Sequence, residues 1–140
     1  MSFIKDLNFG LKYEKLFLNY IKYDYIIKHV GNFKEYDILA KKDDIETKYE
    51  IKSDRLAYKT KNLCIEYECS KKPSGITTTE ADYYGYFIIN NEEYDLYIIP
   101  TEFINECIEN KLYKRDITGG NGYKARFYLF SLDIFKEFKK

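Results

Sequence analysis

Two β-patterned runs, "YDILAKK" and "IETKYEIKS", meet at a short charged turn around Lys42–Asp44, and this hairpin constrains the chain more than any other stretch. Strand side chains alternate between faces, so Glu50 and Lys52, two apart in "KYEIKSD", point the same way. The turn also sets register. Asp37 lies about six residues before it and Glu50 about six after it, which places the two carboxylates roughly opposite one another.

The flanking segments fit a mixed α/β domain. Phe9, Leu11, Leu16, Phe17, Tyr20 and Ile21 recur at mostly helical spacing and predict an amphipathic helix from about Asn8 to Tyr23. "YIIKHV" (Tyr25–Val30) reads as a strand broken by Gly31 and Asn32, and "LCIEYEC" (Leu63–Cys69) as a further strand. After the "KKPSG" loop, "TTTEADYYGYFI" reads as a second helix with a threonine N-cap, although Gly85 interrupts it. "YDLYIIP" (Tyr94–Pro100) reads as a buried strand. Thr101 caps a short helix to about Asn110, "TGGNG" is a flexible connection, "YKARFYLF" is a strand, and Ser131 caps a terminal helix. The expected architecture is a central mixed sheet flanked by helices. It forms one domain over residues 1–140, with a core over about 8–100 and a smaller α/β extension over about 101–140.

Composition narrows the function classes. A chain of 140 residues can bury a core as a single domain. No apolar run approaches membrane-spanning length and the N-terminus lacks a signal-peptide pattern, so a soluble cytoplasmic protein is expected, in host cytoplasm or nucleus for a viral one. Cys64, Cys69 and Cys107 are odd in number and lack metal-ligand spacing, and with a lone histidine (His29) they argue against a disulfide framework or a zinc site. His29 reads as an ordinary strand residue. Net charge is zero, which leaves only a local basic patch as a route to nucleic acid. The Tyr, Phe, Ile, Lys and Asn enrichment reads as the codon bias of a low-GC genome, a viral one included, before it reads as a base-stacking surface.

The Glu-x-Lys spacing is cheap in this chain, recurring at Glu46/Lys48, Glu109/Lys111 and Glu137/Lys139. Only the Glu46 and Glu50 pairs fall on a strand. Asp37 distinguishes Glu50, because an acid at the entrance to the buried "ILA" run needs a compensating partner. Two carboxylates brought together by a sheet repel unless a hard cation sits between them, and Mg²⁺ prefers such oxygen ligands. Lys52 would then stand beside the metal as a point cation able to orient water and stabilise charge on a phosphate. A slipped register that uses Glu46 and Lys48 is the competing assignment.

Asp37 followed thirteen residues later by Glu50-Ile51-Lys52, in strand–turn–strand after a helix, resembles the PD-(D/E)XK nuclease superfamily of restriction enzymes, junction resolvases and RecB-type domains. The residue before Asp37 is Tyr36 where that family commonly has proline. The resemblance implies a restriction-endonuclease-like core and a metal-dependent DNA endonuclease. Asp37 and Glu50 would be ligands of Mg²⁺ or Mn²⁺, the Ile51 carbonyl a further ligand, and Lys52 the catalytic lysine. It also implies that Glu14, in "KYEKLF", joins the outer shell of the metal, against a plain reading as a solvated helix residue.

Glu66 is expected to face the site if its strand is internal, or else to lie on an exposed edge. Lys71, Lys72, Ser74, Thr77, Thr78 and Thr79 precede the expected second helix and would form a phosphate cradle for DNA. Tyr83 and Tyr84 read as core. A duplex has two strands and the chain one site, so a homodimer is expected, with a monomeric nickase as the other possibility. Two rival readings keep different parts of this picture: a catalytically inactive nucleic-acid-binding or regulatory module with the same fold, and an α/β interaction protein whose charges are all solvated.

Overall fold

The computed structural model describes the backbone of residues 3–28, 36–120, 122 and 124–140, and side chains from Phe9 onward apart from Lys28. His29, Gly31 and Asn32 lie outside the described residues.

The first helix, α1 (Phe3–Phe17), continues into a 3-10 turn over Leu18–Tyr20, so the α-helical part ends earlier than expected. β1 (Tyr25–Lys28), β2 (Ile38–Lys42) and β3 (Ile45–Asp54) follow as an antiparallel meander. The β2–β3 turn consists of Asp43 and Asp44, both at positive φ, which is the left-handed geometry of a two-residue hairpin. Asp24 Oδ2 accepts the Asp43 N–H at 3.0 Å and braces the turn.

A crossover then carries the chain through α2 (Ala57–Thr60), β4 (Asn62–Cys69), the two-residue β5 (Lys72–Pro73) and a 3-10 turn at Gly75–Thr77. β6 (Tyr83–Asn90) returns parallel to β3 and pairs on its other side with antiparallel β7 (Glu93–Pro100). The five-stranded sheet therefore runs β1-β2-β3-β6-β7. α3 (Thr101–Glu109), β8 (Arg115–Gly119), β9 (Ala125–Ser131) and a 3-10 segment over Leu132–Phe138 complete the chain. β9 pairs with β4, giving a second, antiparallel sheet in the order β5-β4-β9-β8.

Two expectations are corrected here. "TTTEADYYGYFI" is not a helix: its apolar half is β6, buried on both faces. Tyr84, Tyr86 and Ile88 enter one core and Phe87 and Ile89 the other. A strand covered on both sides reads as a continuous apolar run, which periodicity alone cannot separate from a buried helix. The terminal helix is 3-10 rather than α, and Ser131 makes no side-chain cap to it.

The layers follow from the two cores. Tyr13 and Phe17 of α1 pack on Ile38, Ile51 and Phe87, across one face of the five-stranded sheet. On the other face Tyr84, Tyr86, Ile88 and Ile99 meet Leu63, Ile65 and Phe130 of the second sheet, with Ile104 and Cys107 of α3 closing the side. Among the described residues no helix is long and apolar enough to cross a membrane.

Gly85 is required by the α1 layer. A Cβ there would overlap the Phe17 ring and press within 3.0 Å of Ile51 Cδ1. Overpacking of this kind costs about 1–3 kcal/mol. Gly85→Ala is expected to lower the thermal midpoint accordingly, whereas Gly10→Ala, where a Cβ meets open space, should raise stability by up to about 1 kcal/mol. Melting curves of the two variants check both signs.

Candidate active site

The site forms where β3 outruns its partner. β2 begins at Ile38, opposite Tyr49, whereas β3 continues to Asp54. Along Glu50–Asp54, β6 pairs one edge of β3, and among the described residues no strand pairs the other. Unpaired strand N–H groups need acceptors. Asp37 supplies one: its Oδ2 accepts the Ile51 N–H at 2.8 Å, and its own N–H donates to Tyr49 O at 2.9 Å. Asp37 thus extends the hairpin by one position with its side chain, which places it across from Glu50 as the turn register implies. The N–H and C=O of one residue in a strand point to the same edge, so the Ile51 carbonyl faces the same opening.

Beside this edge lies a cleft of about 380 Å³, lined by Gly10, Leu11 and Glu14 of α1 and by Asp37, Glu50 and Lys52. Glu50 Oε1 pairs with Lys52 Nζ at 3.3 Å. The pair is asymmetric: the Lys52 side chain is 47% exposed and that of Glu50 only 14%. Glu50 Oε2 is buried and has no hydrogen-bond partner among the described residues. Burial, followed by repulsion from Asp37 and more weakly from Glu14, pushes the Glu50 carboxyl up to about 7, against the pull of Lys52.

The expected site residues divide by location. Asp37, Glu50, Ile51, Lys52 and Glu14 share the cleft. Among the described residues no three His, Cys, Asp or Glu side chains form a ready metal cluster, so Glu14 lines the wall without completing one. The slipped alternative does not form. Glu46 faces Lys41 across the hairpin, and Lys48 pairs with Glu80 at 3.4 Å and stands over the Tyr36 ring.

Glu66, on internal strand β4, lines an adjoining cavity of about 200 Å³ that also contains Lys52, Asp54, Tyr84 and Tyr86. There it accepts the Ser74 hydroxyl at 2.8 Å.

The phosphate cradle is corrected, since no helix starts after the threonines. The Thr77 hydroxyl donates to Tyr67 O at 2.8 Å, that of Thr78 faces Gly75 O at 3.4 Å, and that of Thr79 accepts the Ala81 N–H at 3.1 Å. Lys72 lies exposed on β5, and Lys71 lines a separate cavity with Lys124 and Arg126.

Sequence reasoning missed Tyr84 as a neighbour of the acids. It sits opposite Glu50 in the parallel β3–β6 register, and its hydroxyl pKa is raised by burial and then by Glu50, Glu66 and Asp37. The false helix hid that register.

An oxygen-only donor set of two carboxylates and an edge carbonyl, with one buried carboxylate oxygen lacking a partner among the described residues, fits a hard divalent cation such as Mg²⁺ or Mn²⁺. No family model matches the chain, and no curated protein or solved structure matches it.

Glu50 gives the site a pH signature. Its folded pKa lies above its ordinary 4.5, so the metal-free protein loses stability as pH rises from about 4.5 to about 7, and the loss is complete above that. A rise of this size is worth on the order of 3 kcal/mol at most. Glu50→Gln is expected to melt higher than wild type at pH 8 without divalent cations, and at the same temperature at pH 4. Thermal melts across that range are the check.

Proposed function

We propose that the chain is a metal-dependent DNA endonuclease that hydrolyses phosphodiester bonds at the Asp37–Glu50–Lys52 cleft. One observation carries the reading: Asp37 and Glu50 converge across the end of the β2–β3 hairpin with Lys52 beside them, in an open cleft rather than on a solvated face. Asp37, Glu50 and the Ile51 carbonyl would hold the cation.

When bound, a hard divalent cation supplies a water of lowered pKa and neutralises charge developing on the phosphate. Asp37 is held by its bond to the Ile51 N–H, so its carboxylate needs little reorganisation to act. The Glu50 carboxylate must be ionised to act as a ligand, so occupancy of the site releases its proton. Lys52 Nζ stands at the exposed mouth, where it can hold the attacking water and a non-bridging phosphate oxygen. The water oxygen would bond to phosphorus as the P–O bond to the leaving sugar oxygen breaks, the attacking water giving its proton to solvent at the open mouth and the departing oxygen taking one from solvent there. A homodimer would cut both strands of a duplex symmetrically.

A second reading, an inactive nucleic-acid-binding or regulatory module, is favoured by the Glu50–Lys52 ion pair, which offsets part of the acid's charge without any metal ion. Two measurements separate the readings. Mg²⁺ or Mn²⁺ should raise the melting temperature more at pH 8 than at pH 6, and not in Asp37→Ala or Glu50→Gln. Supercoiled plasmid, linear duplex, single strands and four-way junctions should include a substrate that wild type cuts with either metal. Lys52→Ala should cut it at least about 100-fold more slowly, the usual scale for losing a positioned acid–base or electrostatic group. Cleavage of no substrate, or equal cleavage by the variant, removes the catalytic assignment.

A further inference from the structure

We propose that the cavity beside the cleft is a base pocket, in which Glu66 and Tyr84 read an unpaired nucleobase whose Watson–Crick edge carries an exocyclic amine next to a ring acceptor, as in cytosine and adenine. The inference rests on the nuclease reading for the strand that presents the base, and it names that reading's substrate class. The cavity, of about 200 Å³, is a crevice between the end of β3 and β4. Lys52 and Ser53 line both it and the carboxylate cleft. A phosphate at the cleft mouth therefore has an opening directly beside it for a base of the same strand.

The lining suits a flat ring bearing donors rather than an anion. Ile65 and Phe127 supply apolar wall, and Tyr84 and Tyr86 aromatic rings. Lys52, the cation of this lining, is paired with Glu50. Among the described residues the two acids of the lining, Asp54 and Glu66, are not equivalent. Asp54 is engaged on both oxygens: Oδ1 accepts the N–H groups of Leu56 at 2.7 Å and Ala57 at 3.0 Å, and Oδ2 accepts the Tyr86 hydroxyl at 3.1 Å. Glu66 Oε2 accepts the Ser74 hydroxyl at 2.8 Å. A carboxylate has about four acceptor sites, so Glu66 keeps the capacity to take an amine as well.

Tyr84 completes the pattern. It is buried in the cavity wall, and burial, followed by Glu50, Glu66 and Asp37, raises its hydroxyl well above the usual range. It therefore stays protonated and available as a donor. An acceptor and a donor in one pocket match the amine and ring nitrogen of cytosine or adenine. They mismatch thymine, which places a carbonyl and an N–H at those positions.

The pocket is held in shape from both sides. Gly75, at φ 53°, passes so close to β4 that a Cβ there would overlap the Glu66 carbonyl oxygen. The Ser74 N–H donates to Tyr67 O at 3.1 Å, which keeps Ser74 against β4 and its hydroxyl on Glu66. The Tyr86 hydroxyl, bonded to Asp54 and 3.3 Å from Cys64 O, ties the β3 and β4 walls together. A base can enter only after leaving the duplex stack, which costs least where it is already unpaired. The substrate class is thus a single strand, or a duplex with an unpaired or mismatched base.

The test is anisotropy of short fluorescent single strands of oligo-dC, oligo-dA and oligo-dT, at low salt in EDTA. A further strand carries 2-pyrimidinone, which lacks the amine, in place of cytosine. Wild type should bind oligo-dC, oligo-dA or both about tenfold more tightly than oligo-dT, the scale of discrimination by a paired hydrogen-bond contact to a base. The 2-pyrimidinone strand should fall to the oligo-dT level, and a fully paired duplex should bind less well than the preferred strand. Glu66→Gln should lose the preference while still binding oligo-dT at least as tightly as wild type. Ser74→Ala, which frees the Glu66 carboxylate from its anchor, should lose part of it.

Equal binding of the three strands by wild type, a preference that survives Glu66→Gln, or no binding of any strand overturns the pocket. If Glu66→Gln fails to fold, the 2-pyrimidinone strand decides on wild type alone, and affinity equal to that of oligo-dC overturns it. So does a deoxycytidine nucleoside that raises the melting temperature through Glu66 while the strands show no preference, since the pocket would then serve free nucleoside. A base preference that Glu66→Gln abolishes, with no cleavage of any substrate, keeps the pocket and removes the nuclease reading. Cleavage by wild type with Mg²⁺ that is indifferent to the bases beside the cut, together with equal binding of the strands, does the reverse.

Discussion

The bond from the Ile51 N–H to the Asp37 carboxylate is the interaction on which the arrangement of this protein turns. A central strand that outlives its neighbour exposes main-chain groups that must find partners. Here a side chain takes the place of one more ladder residue. That single substitution ends β2, leaves the far half of β3 open to the cleft, and brings a second acid beside Glu50. The same carboxylate therefore completes the sheet and builds the site, and removing it would disturb both.

Glu50 bears the cost of that design. Its carboxylate is mostly buried, faces another acid, and retains an oxygen without a partner among the described residues. Lys52 offsets only part of this, from a position half in solvent. The α1 core beneath, where Tyr13 and Phe17 press on Ile38, Ile51 and Phe87, holds the strand in place despite the repulsion above it. A stable hydrophobic layer under a strained polar one is the expected arrangement when stability is exchanged for function. It also explains why the missing stabilisation should be restorable by a bound cation or by neutralising Glu50, and by little else at this position.

The hairpin and its acids were legible in the sequence because both depend on local rules. Alternation sets faces, and a short turn between β-rich runs sets register, so Asp37, Glu50 and Lys52 could be brought together by counting. The second sheet was not legible, because the β4–β9 pairing joins Asn62 to Ser131 and leaves no local trace. β6 was misread for a related reason: with cores on both faces, "YYGYFII" shows no alternation, and Gly85 looked like a weak point in a helix rather than the seat of the Phe17 ring. Misreading β6 in turn placed a helix N-terminus after Thr77–Thr79, whose hydroxyls bond within the chain.

β3 organises charge as well as structure. Along this one strand and the turn after it, charges alternate from the buried acid Glu50 through Lys52 at the cleft mouth and Asp54 to Arg55 and Lys59. A net charge of zero over the whole chain conceals this local pattern, because most acids and bases lie elsewhere and cancel. On the nuclease reading the local pattern is the useful quantity. Non-specific affinity for a polyanion scales with the phosphates a protein neutralises, so a chain of zero net charge would bind weakly and with a shallow salt dependence. Such a protein would depend on geometry rather than long-range attraction to choose where it stays. Asp54 is central to that geometry, because its bonds to the α2 turn and to Tyr86 tie the position of Arg55 to the buried face of β6. The core that supports the acids thus also fixes the turn that follows β3.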